Sequence, residues 1–300
     1  MPSTQSRKVR DMYVRWAWNN RHPERADVYE GGDHWGDLTA EPGAVDFTET
    51  DAGGTPGMWL DPKDAAWDRV ILCVHGGGFV GGSLYSHRKL YGRLARQAGT
   101  RALLVTYRHT PRHVFPAQVD DVTGAYRYLL GQGFEPGRIA LAGDSSGGGL
   151  VLSTVLRARR DGLPLPAALM LMSAWADLEQ RGASYDANRE RDPLFHREFV
   201  QALADMYLAG GTSPRDPVAG PLHADLTGLP PMLLQAGADE CCLDDSRAVE
   251  KYARDHGVDV RLDVFPGQQH TFQMAAGHAP EADEALTALA AWVRPRLGLD

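Results

Sequence analysis

The sequence predicts an α/β protein with a mostly parallel sheet covered by helices on both faces. Three observations carry this. Short continuous apolar runs, such as Val70-Ile71-Leu72-Cys73-Val74 and Met232-Leu233-Leu234-Gln235-Ala236, suit strands buried on both sides. Segments of helical period alternate with such runs from residue 86 onward. At 300 residues the chain is long enough for one large core, so one domain with insertions is expected.

Composition removes several function classes. A net charge of -8 disfavours binding to a phosphate backbone, so no nucleic-acid partner is expected. Three cysteines, two of them adjacent as Cys241-Cys242, make neither a disulfide framework nor a zinc spacing, and are read as packed, reduced thiols. Met1 to Lys8 is followed by no apolar signal segment, and no stretch approaches the roughly 18 apolar residues of a membrane span. A soluble cytoplasmic protein is the expectation.

Along the chain, Val9, Met12, Tyr13 and Trp16 fall at helical spacing over residues 6–18. Residues 19–42 are rich in Gly, Pro, Asp and His and read as an irregular excursion in which Tyr29 and Trp35 need packing partners. Residues 45–50 and 57–60 read as a strand pair around Gly53-Gly54, and 70–74 as a buried strand. A helix over 86–98, a strand over 102–106 and a helix over 117–130 follow, the last with Val119, Val122, Tyr126 and Leu129 inward. Strand 139–142, helix 150–160 and strand 167–172 come next. Residues 179–193 are charged and aperiodic, and Phe195, Phe199, Leu203, Met206 and Tyr207 return to helical spacing, the pattern of a lid insertion. Strand 232–236, helix 243–254, an edge strand over 258–265 and helix 281–293 complete the chain.

The chemistry concentrates at Gly143-Asp144-Ser145-Ser146-Gly147, directly after an apolar strand. In a G-x-S-x-G elbow the backbone bends so sharply that side chains two residues either side of the serine would clash, and only Ser145 satisfies that frame. The following helix would point its N-terminus, dipole and free amides at the serine. A second loop, His75-Gly76-Gly77-Gly78-Phe79, also follows a strand. Gly76, Gly78 and Gly81 match the dinucleotide fingerprint, but there is no Asp or Glu between Asp68 and Asp120 to hold a ribose; Arg108 could suit a 2′-phosphate. The glycines fit better as amides turned toward an oxygen that gains negative charge in acyl transfer. His109 and His113 flank Pro111 and so cannot share a helix face as zinc ligands, and Asp120-Asp121 suits a helix first turn.

A serine at a strand-helix elbow, an acid after a later strand and a histidine after the last strand is the chain order of α/β-hydrolases. The chain resembles the hormone-sensitive-lipase family of bacterial carboxylesterases, including its acetylhydrolase and lactone-hydrolase members. The resemblance rests on His75 to Phe79, Tyr107-Arg108 with Phe115 to Asp121, Gly143 to Gly149, Leu229-Pro230-Pro231, and His270 with Phe272. It implies an α/β-hydrolase fold with catalytic Ser145 and His270. Counting from Pro230-Pro231, it places the acid at Glu240, with Asp244 four later, where the family usually has Asp; Asp239 is the alternative. The amides of Gly77, Gly78 and Ser146 would hold the oxyanion, and the ring of His75 would brace the glycine loop. Residues 1–42 and an insertion at about 176–215 would cap the acyl pocket. Trp16, Trp18, Trp35, Phe79 and Met206 would supply apolar surface there, with Phe79, Trp16 and Met206 the named substrate contacts.

The expected activity is that of a serine carboxylesterase on small to medium acyl esters or lactones, without cofactor or metal. The alternatives are N-acetyl or amide hydrolysis on the same triad and a non-catalytic small-molecule receptor. Oligomeric state is left open, with a homodimer possible.

Overall fold

The structure is a computed structural model in which residues 2–21 and 34–300 are described. Tyr29 lies outside the described residues. The strands are β1 (Val45–Asp51), β2 (Pro56–Pro62), β3 (Ala66–Val74), β4 (Thr100–Val105), β5 (Ile139–Asp144), β6 (Ala168–Met172), β7 (Met232–Gly237) and β8 (Val260–Phe265). Among the described residues they form one sheet in the order β1-β2-β4-β3-β5-β6-β7-β8. The β1-β2 and β2-β4 pairs are antiparallel and every pair from β4 to β8 is parallel.

Alternation within β3 shows why the sheet needs two covers. Val70, Leu72 and Val74 face one core, with Leu141, Leu171 and Leu234; Ile71 and Cys73 face the other, with Ala140, Met170 and Leu233. Helices α3 (Ala117–Gly131), α4 (Ser146–Arg160) and α7 (Leu243–Asp255) cover the first face through residues such as Val122, Val155 and Val249. Helices α1 (Thr4–Arg21), α2 (Leu84–Ala98) and α8 (Pro280–Val293) cover the second through Tyr13, Leu94 and Leu289. Each fully buried leucine contributes about 1.5–3 kcal/mol relative to exposure. The short α5 (Ser184–Ala187) and α6 (Arg197–Tyr207) lie in the segment between β6 and β7.

The boundaries differ from the sequence reading where local chemistry intervenes. Helix α2 starts at Leu84, because Ser83 accepts the amide of Ser86 while the Ser86 hydroxyl takes that of Ser83, a reciprocal cap. Helix α4 starts at Ser146 and not at residue 150. Its Gly147-Gly148-Gly149 is poor helix material but packs where nothing larger fits. A Cβ on Gly147 would stand 2.2 Å from the Val74 carbonyl oxygen, and one on Gly149 2.3 Å from that of Trp175. Phe195 precedes α6 and is not part of it. Val45 to Asp51 and Val260 to Phe265 are the two sheet edges, as expected of the latter.

Candidate active site

The carboxyl ends of β3, β5, β7 and β8 share one edge of the sheet, the edge where open α/β sheets bind ligands. Ser145 sits there between β5 and α4 with φ 52° and ψ -124°, a sparsely populated conformation that costs about 1–3 kcal/mol. Its backbone is tied down on both sides. Its N-H donates to Met172 O at 2.9 Å, and its carbonyl accepts from the amides of Trp175 at 2.9 Å and Gly149 at 3.2 Å. Glycine at 143 is required by the bend, since a Cβ there would meet Gly147 O at 2.4 Å.

His270 follows β8 and brings Nε2 to 2.8 Å from Ser145 Oγ. The ring is buried, with Phe195 edge-on at 4.5 Å, and Tyr13 of α1 donates its hydroxyl to the His270 carbonyl at 3.0 Å. The N-terminal helix therefore reaches behind the histidine loop, a contact that helical spacing alone hides because Tyr13 reads there as apolar.

The carboxylate nearest the imidazole is Glu240. It is fully buried, with Oε2 3.6 Å from His270 Nδ1, beyond hydrogen-bond length but close in charge. Oε2 accepts instead from the Ser173 hydroxyl at 2.6 Å and from the amide of Gly237 at 3.3 Å, and Oε1 and Nδ1 have no hydrogen-bond partner among the described residues. Asp239 turns away, 3.8 Å from Arg191, with 27 % of its side chain exposed. Burial pushes the imidazole down, but the Glu240 carboxylate, with Asp192 and Asp144 behind it, outweighs this and holds His270 above its ordinary 6.5.

Three polar side chains that sequence reading passed over hold this arrangement. Asp192 is buried and accepts from the amides of Leu194, Phe195 and Cys241, tying the insertion to the acid's loop. Asn188 donates to the carbonyls of Ala238 and Glu240 at 3.0 and 2.8 Å. Asp144 accepts from the Gly76 amide at 3.1 Å and the Tyr91 hydroxyl at 2.8 Å, binding the glycine loop to the elbow. Asn188 and Asp192 lie in a charged segment without period, and Asp144 occupies a position of the G-x-S-x-G elbow that the motif leaves unspecified.

In the glycine loop, the His75 ring spans Gly76 O at 2.7 Å and Thr106 Oγ1 at 2.9 Å. Burial, then neighbouring His87, push it down to about 3, so it stays neutral. The amides of Gly77 and Ser146 have no hydrogen-bond acceptor among the described residues. Gly78 departs from expectation, since its amide donates to Ser146 Oγ at 2.9 Å. The Ser146 hydroxyl supplies an acceptor that an alanine there would not.

These groups open on a cavity of about 300 Å³. Trp16 and Trp35 line one part of it, Leu194, Phe195, Val200 and Leu203 another. Phe79 and Met206 are not on its wall, contrary to the sequence reading. Phe79 is buried face to face against Tyr207 at 3.8 Å between ring centres, and Met206 packs on the core. Trp18 is not on the wall either, being 41 % exposed. Arg108 is held bidentate by Asp121, which removes it as a cofactor phosphate ligand.

A family profile described as the alpha/beta hydrolase fold matches residues 71–274. The chain is 38 % identical over 303 residues to an acetyl-hydrolase of Streptomyces hygroscopicus, covering 99 % of each. The chain belongs to the hormone-sensitive-lipase family of α/β-hydrolases. A solved esterase of the bacterial hormone-sensitive lipase family superposes with TM-score 0.91 at 37 % identity, over 99 % of this chain and 100 % of that one. An ethyl acetate hydrolase of Pseudomonas putida is 31 % identical, covering 76 % of this chain and 74 % of its own. This α/β-hydrolase is accordingly a carboxylic ester hydrolase. No helix among its described residues is long and apolar enough to cross a membrane.

Proposed function

We propose that this hydrolase cleaves small to medium acyl esters through an acyl-enzyme on Ser145, with His270 as base and Glu240 as the orienting acid. One observation carries the reading: the 2.8 Å contact between Ser145 Oγ and His270 Nε2 in the lining of an apolar cavity. His270 takes the serine proton as Oγ attacks the ester carbonyl, then gives it to the departing alkoxide. Water repeats the path and releases the acid. Negative charge on the carbonyl oxygen is held by the amides of Gly77 and Ser146, and by Gly78 when it leaves Ser146 Oγ; one such donor is worth about 3 kcal/mol. Glu240 stabilises the imidazolium.

The cap is assigned to α1 with the 34–38 turn and to residues 194–203, whose side chains line the cavity. Its apolar character favours uncharged substrates, and the relatives named acetyl-hydrolase and ethyl acetate hydrolase favour a short acyl group. Ser145→Ala should abolish p-nitrophenyl acetate turnover while the protein stays folded; retained turnover would move the nucleophile elsewhere. The name acetyl-hydrolase specifies no bond type, which keeps an amide reading in view. Rates on matched acetyl esters, lactones and acetamides separate the classes.

A further inference from the structure

Two adjacent thiols, Cys242 on the cavity wall and Cys241 buried beside it, have no part in the hydrolysis described. Cys241 Sγ and Cys242 Sγ are 3.7 Å apart, neither is in a disulfide, and Cys242 lines the cavity with Ser145 and His270. The pair is held in place. The Cys241 amide donates to Asp192 at 3.0 Å, and the Tyr185 hydroxyl donates to Cys242 Sγ at 3.6 Å. We propose that Cys241 and Cys242 form a vicinal dithiol site that chelates a trivalent organoarsenical and thereby blocks the substrate cavity.

Softness and geometry select the ligand class. Thiol sulfur prefers soft centres. Two bonds of about 2.3 Å, the length of a metal-thiolate bond, reach across 3.7 Å at an angle of about 107°, close to tetrahedral. No group of three or more His, Cys, Asp and Glu among the described residues is arranged to complete a metal site. That disfavours a cation needing four protein ligands and suits R-As=O, which brings its own carbon ligand and needs two sulfurs. In the reaction two As-S bonds form, the As=O bond breaks, and both thiol protons leave with that oxygen as one water. Arsenic stays trivalent, so no oxidant is required. The hydrogen bond with Cys242, then burial, hold the Cys241 thiol well above its ordinary value, which keeps it protonated and reduced until a two-thiol reagent enters. Trp16, Trp35 and Phe199 line the same cavity and suit an aryl group. Cys73 has no such neighbour and lies in the opposite core.

The test treats the full chain with one equivalent of phenylarsine oxide in the presence of glutathione and reads intact mass and ester hydrolysis. One adduct with loss of water is expected on the native chain and on Cys73→Ala, with hydrolysis lost and then restored by 2,3-dimercaptopropanol but not by more glutathione. Cys241→Ala and Cys242→Ala, or the serine variants if alanine impairs folding, should carry no adduct and keep whatever activity each has untreated. No adduct on the native chain, or a full adduct on either single variant, overturns the proposal. The blocking of turnover rests on the esterase reading, but the adduct does not, so failure of that reading leaves a mass result that still decides the site.

Discussion

The Ser173 hydroxyl donates to Glu240 Oε2 at 2.6 Å while accepting the amide of Thr271 at 3.0 Å, so one side chain joins the acid to the residue after the histidine. Ser173 holds φ at 48°, and Thr271 at 52°, positive values that non-glycine residues adopt at a cost. Glutamate has one methylene more to place than the family's usual aspartate, and Ser173 fixes its end.

Ser173→Ala should therefore lower kcat with little change in KM. A hydrogen bond to a charged group contributes about 1.5–3 kcal/mol, which is roughly a ten- to hundredfold loss. Partial recovery in Ser173→Thr is expected. An unchanged kcat in the alanine variant would show that the carboxylate holds its place unaided.

The pH profile follows from the raised pKa of His270. With His270 as the proposed base, the imidazole must be neutral to accept the serine proton, so activity should rise with pH through a midpoint above the ordinary 6.5. In Glu240→Gln the carboxylate no longer opposes burial, and the midpoint should fall as kcat drops. A profile of kcat/KM against pH for both proteins checks the direction.

Ser146→Ala removes the acceptor that holds the Gly78 amide. With a neutral hydrogen bond worth about 1 kcal/mol, freeing the donor should raise kcat/KM on p-nitrophenyl acetate by roughly fivefold at most. Tighter binding of an acyl trifluoromethyl ketone should accompany it. A fall in both would mean that the hydroxyl orients this amide.

Leu203 lines the cavity beside Gly78, where a Cβ would meet its Cδ1 at 2.7 Å. Leu203→Ala should cost about 2–5 kcal/mol of stability, since the side chain is buried. It should also shift preference from acetyl toward longer acyl groups. Relative kcat/KM across acetate, butyrate and octanoate p-nitrophenyl esters measures the shift.

Stability should carry a pH signature from Asp245. Burial pushes this carboxyl up to about 8, although the amides of Ala176 and Asp177 at 3.0 and 2.9 Å favour its charged form. The native state then binds a proton that the unfolded chain releases between pH 3.8 and about 8. Its contribution is present at the acid end of this window and fades as pH rises through it. Asp245→Asn should flatten that slope, which urea unfolding at a series of pH values would reveal.

Much of the sheet and the elbow is legible in the sequence because both depend on local pattern. Buried strands read as unbroken apolar runs, and the serine stands between glycines that the bend demands. The choice between Asp239 and Glu240 is not legible in that way. Adjacent residues on one turn point in different directions, and only the fold aims Glu240 inward while Asp239 meets Arg191. Phe79 and Met206 were expected at the pocket because apolar type does not tell a cavity wall from the core behind it. Ser173, Asn188 and Asp192 each reach across to the loop around residues 237–241, about 50 or more positions away, a contact that no spacing records.

The three glycines that begin α4 bring its first turn against the ends of two neighbouring chain segments with no side chain between. Ser145 consequently has little play of its own, and displacing it requires the sheet edge and the helix to yield together. Room for change lies in α1 and residues 194–203, which touch the cavity without carrying the elbow. Descendants of this chain can reshape the cavity by editing those parts while the Ser145 hydroxyl stays where it is.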